Sequence, residues 1–150
     1  MKDELVAGYA RVAGWLESAA PLLDLGIRLY VADVFFRSGL LKVGNWSGTL
    51  YLFANEYHVP LLPPEVAAVL GAFGELAFPP LLALGVVTRF AALSLSFVNL
   101  VAVVSYWHVL GANDAALAQH VFWGTLLLVT LCHGPGKLST DHYLARWLAR

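Results

Sequence analysis

Hydrophobic and polar positions follow two regimes along the chain. Residues 2–19 place Leu5, Tyr9, Val12 and Leu16 on one helical face and Asp3, Glu4, Arg11 and Glu17 on the others, the 3.6-residue period of an amphipathic helix. That segment is too polar to cross hydrocarbon, so it is expected to lie at a membrane surface and to end near Pro21. Four apolar stretches of spanning length follow, at 22–43, 65–86, 89–110 and 115–133, each close to the ~20 residues that cross a bilayer. No Lys, Arg, Asp or Glu falls between Arg89 and Asp114, or between Asp114 and Lys137. In the second stretch Pro79-Pro80 removes two backbone donors and is expected to kink or break the helix. The one long connection, 44–64, carries Trp46, Tyr51, Phe53 and Tyr57 and suits an interface, with a short helix inside it. The remaining turns are tight, so sequential helices run antiparallel. The pattern predicts an all-α membrane protein: a four-transmembrane-helix up-down bundle with an N-terminal amphipathic surface helix and a short outer-loop helix. Its parts are the helix 1–20, the bundle 21–136 and a C-terminal tail 137–150.

Composition strengthens this picture. Apolar residues make up 59% of the 150 and charged ones 13%, against about 45–50% and about 25% in soluble domains. The mean hydropathy is +0.70. A water-soluble fold could not cover its own exterior with so few charges, so lipid must do it. The net charge of −1 excludes a polybasic nucleic-acid surface. The single cysteine, Cys132, excludes an internal disulfide and any two-cysteine redox motif, and beside His133 it reads as an inert buried thiol. The acidic opening Met1 to Leu5 is unlike a signal peptide. Lys2, Arg11, Arg89, Lys137, Arg146 and Arg150 fall on one side of the spans and only Lys42 near the other, which predicts cytoplasmic termini.

The candidate chemistry lies in the charges of the spans. An ionisable group in the bilayer costs about 2.5–3.5 kcal/mol on insertion scales, so it is kept only if paired, hydrated or used. Asp24 and Arg28, and Asp33 and Arg37, are each four apart, a spacing that allows ion pairs along one helix. At 100° per residue Arg28 shares a face with Asp24 and Lys42, whereas Asp33 and Arg37 point nearly opposite, toward a partner helix or subunit. Glu75 sits about ten residues, ~15 Å, from the outer end of its span and needs a cation. The expectation is an intramembrane network of Arg28, Asp33, Arg37 and Glu75, which either fixes helix register or binds a polar-headed lipophilic ligand. His58, His108 and His120 belong to the outer half with Trp46, Tyr57, Tyr106, Trp107 and Trp123. They are weak metal-ligand candidates beside the plainer reading of an interfacial belt. The same aromatics suit a quinone, with His108 or His120 as proton carrier and Trp123 for stacking. Ser94, Ser96, Asn99 and Ser105 are expected to bond between helices, and Ala67, Gly71 and Gly74 to admit close approach.

Several short motifs add a resemblance. They are Arg28-Leu29-Tyr30, Phe35 through Val43, Gly74-Glu75-Leu76 and Leu84 through Phe90. Together, over roughly residues 20–136, the chain resembles the DoxX family of small bacterial and archaeal membrane proteins. The resemblance implies a four-span inner-membrane protein and, from some members, association with membrane redox systems. The name-giving relatives look like the membrane subunit of thiosulfate:quinone oxidoreductase, and others are linked to oxidative stress and sulfur metabolism. Arg28, Gly39, Lys42, Glu75, Gly85, Thr88 and Arg89 are the family-like positions, whereas Asp33 and Arg37 depart from the pattern. No flavin, haem or iron–sulfur motif is visible, so electron transfer would need a quinone or a partner subunit.

These readings lead to a membrane component of a redox- or sulfur-linked system. Its ligand-binding candidates are Arg28, Asp33, Arg37, Lys42, Glu75, His108, His120 and Trp123, and if it is enzymatic it is a subunit of a quinone-linked oxidoreductase. Membrane lipids, a redox partner protein and a second copy of the chain are the expected partners, with nucleic acid excluded. The alternatives are a non-catalytic anchor for a soluble enzyme and a small transporter or metal-handling protein using His58, His108 and His120.

Overall fold

A computed structural model describes residues 2–150, with side chains described from Glu4 onward. The chain is helical throughout, with no strand among the described residues. Its helices are α1 (Lys2–Gly44), α2 (Trp46–Asn55), α3 (Pro64–Leu84), α4 (Thr88–Ser105), α5 (Trp107–Leu110), α6 (Asp114–His133) and α7 (Thr140–Leu148). Three of them, α3, α4 and α6, are long and apolar enough to cross a membrane. The second half of α1 has the length but carries Asp24, Arg28, Asp33, Arg37 and Lys42, which sets it apart from those three.

Three expectations meet the structure here. The N-terminal amphipathic segment does not end at Pro21 but continues as one helix to Gly44. Proline fits helical φ and forfeits one hydrogen bond, and the favourable residues on both sides carry the helix through. Pro79 and Pro80 likewise do not break α3, which continues to Leu84. Those prolines bring no N–H, so the carbonyls of Glu75 and Leu76 lose their helical donors. The third apolar stretch also divides, α4 stopping at Ser105 and a single turn, α5, following Tyr106. The short helix in the outer loop is present as α2, capped by Asn45, whose side chain accepts from Gly48 N–H at 3.1 Å.

The second half of α1 packs along α3, α3 on α4, and α4 on α6, which closes more thinly back on α1. Small side chains make this possible. Ala91, Ala92 and Leu95 of α4 are fully buried against Val31, Ala32 and Phe35 of α1, Leu82 of α3 and Leu127 of α6. Gly39 is the closest approach of α1 to α3, since a Cβ there would lie 2.8 Å from Leu76 Cγ and 3.0 Å from the Glu75 carbonyl carbon. Gly74 has the same part against Val98 of α4, and Ala67 with Gly71 receives Phe53 of α2, as the small-residue pattern foretold. The outward faces are apolar: Leu93, Phe97, Leu100 and Val104 form an exposed stripe on α4, the distribution of a helix with lipid for solvent.

At one end of the bundle the C-terminal segment locks the α3–α4 turn. The last four carbonyls of a helix lack internal donors. Here Leu81 accepts from Val86 N–H at 2.9 Å, Leu82 and Ala83 from Arg28 Nη1 at 3.3 and 3.1 Å, and Leu84 from the Thr140 hydroxyl at 2.9 Å. Arg28 is 1% exposed and also donates through Nη2 to the Leu138 carbonyl. Gly85 ends α3 at φ +70°, and a Cβ on it would meet Arg28 Nη1 at 2.5 Å, so only glycine fits. Val87 begins α4 at φ +42°, a costly conformation for a β-branched residue. It is held there by Asp141, which accepts from Val87 N–H at 2.8 Å and from the Thr88 N–H and hydroxyl at 2.8 and 2.7 Å. Within the C-terminal segment, Ser139 to Asp141 belong to the packed end of the bundle.

Burial pushes the Asp141 carboxyl up, but bonds from Thr88 and Val87 together with the field of Arg28 outweigh it and leave it below the ordinary carboxylate value. A depressed folded value contributes stability that is present above the unfolded value of about 4 and is lost as pH falls through the folded one. Thermal unfolding in detergent is therefore expected to show wild-type stability declining below about pH 4, with a flatter profile in Asp141→Asn. At neutral pH Asp141→Asn should cost roughly 1–2 kcal/mol, the scale of a lost helix cap, and protease should reach α7 sooner. Gly39→Val should cost about 1–3 kcal/mol by overpacking the α1–α3 seam, read in the same unfolding experiment.

Candidate functional site

The expected four-residue network resolves into three separate arrangements. Arg28 caps α3 and takes no part in a cluster with Glu75. Asp33 and Arg37 pair with each other on the outward face of α1, with Arg37 Nε 2.8 Å from each carboxylate oxygen and side chains 58% and 74% exposed. Glu75 takes Lys42, whose ammonium lies 2.6 Å from Oε2 and also donates to the Ser38 hydroxyl at 2.9 Å. Helix geometry explains the partition. Arg28, Gly39 and Lys42 share the face of α1 that meets α3, and Asp33 and Arg37 lie about half a turn away. Of the two cations on the seam, Arg28 lies level with Leu82, whereas Lys42 follows the Gly39 contact by three residues and reaches Glu75.

The Lys42–Glu75 pair is the ionisable centre of the bundle. Its side chains are 20% and 9% exposed, and an ion pair so enclosed is held by its hydrogen bonds, since its desolvation is costly. The Thr49 hydroxyl of α2 donates to the Lys42 carbonyl at 2.9 Å, filling an acceptor left open where α1 ends. The Glu75 and Leu76 carbonyls, deprived of donors by Pro79 and Pro80, add negative potential on the same stretch of α3.

An aromatic cluster joins α2 and the segment after it to the α4–α5 turn. Tyr57 packs edge-on against Phe53 and Tyr106, both with ring centroids at 4.9 Å, and His108 joins Tyr106 at 5.3 Å and His58 at 5.1 Å. The backbone pins it, His58 N–H donating to the Ser105 carbonyl at 2.8 Å across to α4. Burial, then the nearby Tyr106 and Glu75, push the Tyr57 phenol up, so it is a neutral donor at neutral pH.

His120 and Trp123 form a second group. His120 Nδ1–H donates to Asn99 Oδ1 at 2.8 Å, and Asn99 Nδ2 donates to the His120 carbonyl at 2.9 Å, a two-bond clasp between α4 and α6. The His120 ring lies 5.0 Å from Trp123, whose indole Nε1 is buried without an acceptor among the described residues. Asn99 thus bonds between helices as its sequence context suggested, whereas Ser96 and Ser105 donate within their own helix. His58, His108 and His120 therefore divide between two groups, and among the described residues no three His, Cys, Asp or Glu side chains gather where an ion could be held. Cys132, expected to be buried, is exposed at the end of α6, its carbonyl accepting from Arg89 at 3.4 Å.

Sequence reasoning missed Asp141 and Thr88 as partners. Thr88 and Asp141 are 53 residues apart, and nothing local marks a carboxylate as the cap of a distant helix.

Comparison with known proteins follows the same elements. The DoxX family model matches residues 23–108, a stretch that takes in the α1–α3 seam from Arg28 to Lys42, Glu75, and the turn at Gly85 to Thr88. A protein of Haemophilus influenzae described only as "Uncharacterized protein" is 35% identical over 121 residues, covering 77% of this chain and 78% of its own. No solved structure matches the chain. With more than half of its length under the family model and a relative of that similarity, the chain belongs to the DoxX family of small membrane proteins.

Proposed function

We propose that the protein is a four-span component of a bacterial inner membrane, with the second half of α1 as the fourth span and both termini cytoplasmic. In this reading it is the membrane part of a redox- or sulfur-linked system. The site is the Lys42–Glu75 pair with Tyr57 and the rings around it, and the ligand is a lipophilic molecule with a polar head, of the quinone class. The observation that carries this reading is the Lys42–Glu75 pair, 2.6 Å apart and largely enclosed between α1 and α3. Ionisable side chains at membrane depth are kept where they bind or move charge.

The donor set fits such a head group. The Lys42 ammonium has three N–H groups, two of them directed at Glu75 and Ser38, and Tyr57 supplies a hydroxyl, both able to donate to a carbonyl oxygen. Phe53, Tyr57 and Tyr106 offer ring faces for stacking. A quinone, when bound, supplies two-electron, two-proton redox chemistry. Lys42 keeps the Glu75 carboxylate compensated at the same place. Electrons would come from a partner protein.

A second reading, a membrane anchor for a soluble enzyme, is favoured by the first half of α1. Leu5, Tyr9, Val12, Trp15 and Leu16 are all exposed, and α7 exposes Tyr143, Leu144, Trp147 and Leu148. Such helices lie in the interface or receive a partner.

Solvent extraction and chromatography of protein purified gently from its own membrane should yield near-stoichiometric quinone from the wild type. The paired variant Lys42→Met, Glu75→Gln removes both charges together and leaves no lone ion. It should carry about tenfold less, at a thermal stability matched to within a few degrees. Equal traces in both proteins would remove the ligand reading and leave the anchor.

A further inference from the structure

In the second half of α1, Asp33 and Arg37 bond to each other and, among the described residues, to no other helix. With α1 as the fourth span they lie about 16 and 10 Å from its Gly44 end by helix rise, inside a hydrocarbon layer ~30 Å thick. Both are well exposed, 58% and 74%. An ion pair turned toward acyl chains is unfavourable, since neither charge recovers its lost hydration. Only Nε of the guanidinium is directed at Asp33, at 2.8 Å to each oxygen, so both Nη groups remain for an acceptor outside the helix. Beside the pair runs a groove of about 270 Å³ between α1 and α3, lined by Leu29, Ala32, Asp33, Phe36, Pro79 and Pro80.

We propose that this face is covered by a second copy of the chain, related by a two-fold axis along the membrane normal. Such an axis puts equivalent residues at equal depth, so that Arg37 of either copy stands one helical turn from Asp33 of the other. The two pairs then close into a ring of two carboxylates and two guanidinium groups with no net charge, each Arg37 donating through Nε to its own Asp33 and through Nη to the opposite one. The surface is self-complementary in charge, which is what a two-fold contact demands. Its shape agrees: Ala32, Pro79 and Pro80 leave the groove shallow, and the exposed Leu29 and Phe36 stand at its edge to fill the groove of the other copy. The inference rests on α1 crossing the membrane and is independent of any ligand at Lys42.

The test is oxidative crosslinking in native membranes of Phe36→Cys in a Cys132→Ser background, with Phe97→Cys on the exposed stripe of α4 as control. Crosslinked dimer at residue 36 and little at 97 is expected. Asp33→Arg alone and Arg37→Asp alone should each cut the crosslinked fraction by at least about tenfold, since like charges then face each other. Co-expressing the two, each carrying Phe36→Cys, should restore it, because the reversed charges complement across the two-fold. A membrane-impermeant maleimide separates this proposal from the spanning one on which it rests. Labelling of residue 36 from water overturns the spanning reading, whereas a shielded residue 36 that does not crosslink overturns the dimer. Crosslinking unchanged by the single reversals, or not restored by co-expression of two inserted variants, also overturns it.

Discussion

Two cations on one face of α1, Arg28 and Lys42, hold that helix against α3, and the positions of the other elements follow from this seam. They are fourteen residues apart, close to four full turns and about 21 Å. Each is bonded in its own manner, although the Nε–H of Arg28 is buried without an acceptor among the described residues. The guanidinium of Arg28 has a planar fork of donors and spreads them over the carbonyls of Leu82, Ala83 and Leu138. The compact ammonium of Lys42 meets one carboxylate oxygen of Glu75. Between them Val31, Ala32, Phe35 and Gly39 fill the contact.

Because Arg28 ends α3 with side-chain donors, the α3–α4 turn can be as short as Gly85 to Val87. A turn that tight forces Val87 into the left-handed region, and the strain is contained because Asp141 receives the N–H groups of Val87 and Thr88. The C-terminal segment is in turn placed by α3 and α1, through Thr140 on the Leu84 carbonyl and Leu138 on Arg28. Gly136, at φ +71°, lies so near Asp24 that a Cβ would meet the carboxylate at 2.7 Å. The end of the bundle is thus a closed circuit of backbone and side-chain bonds in which α1, α3, α4 and the approach to α7 each satisfy a neighbour.

Much of this was legible in the sequence because hydrocarbon is an unforgiving solvent. Long apolar stretches with at most two charges each read directly as α3, α4 and α6, and small residues such as Ala67 and Gly74 marked close contacts. The helical wheel of α1 also separated Arg28 and Lys42 from Asp33 and Arg37 correctly. What failed was the step from depth to partnership: Glu75 was matched with arginines at a suitable height, when the face of α1 turned to it carries Lys42. The continuity of α1 through Pro21 was hidden because proline signals a lost donor without saying whether flanking residues compensate. The bond of Asp141 to Thr88 was hidden because it joins chain ends that only the folded bundle brings together.

The two ion pairs of α1 also differ in what they specify. Asp33 and Arg37 are neighbours on one helix, so they pair wherever that helix forms, and their contact carries no information about packing. Lys42 and Glu75 meet only when α1 and α3 are in register. A slip of one turn would set Ser38 or Trp46 in place of Lys42, leaving the carboxylate uncompensated at membrane depth, which is severely destabilising. The same slip would bring Phe35 or Val43 to the point where Gly39 lies against Leu76 and the Glu75 backbone, and neither side chain has room there. Charge and volume therefore exclude the neighbouring registers independently. The low intrinsic specificity of an apolar seam, in which one leucine replaces another at little cost, is overcome by one charge pair and one glycine placed three residues apart.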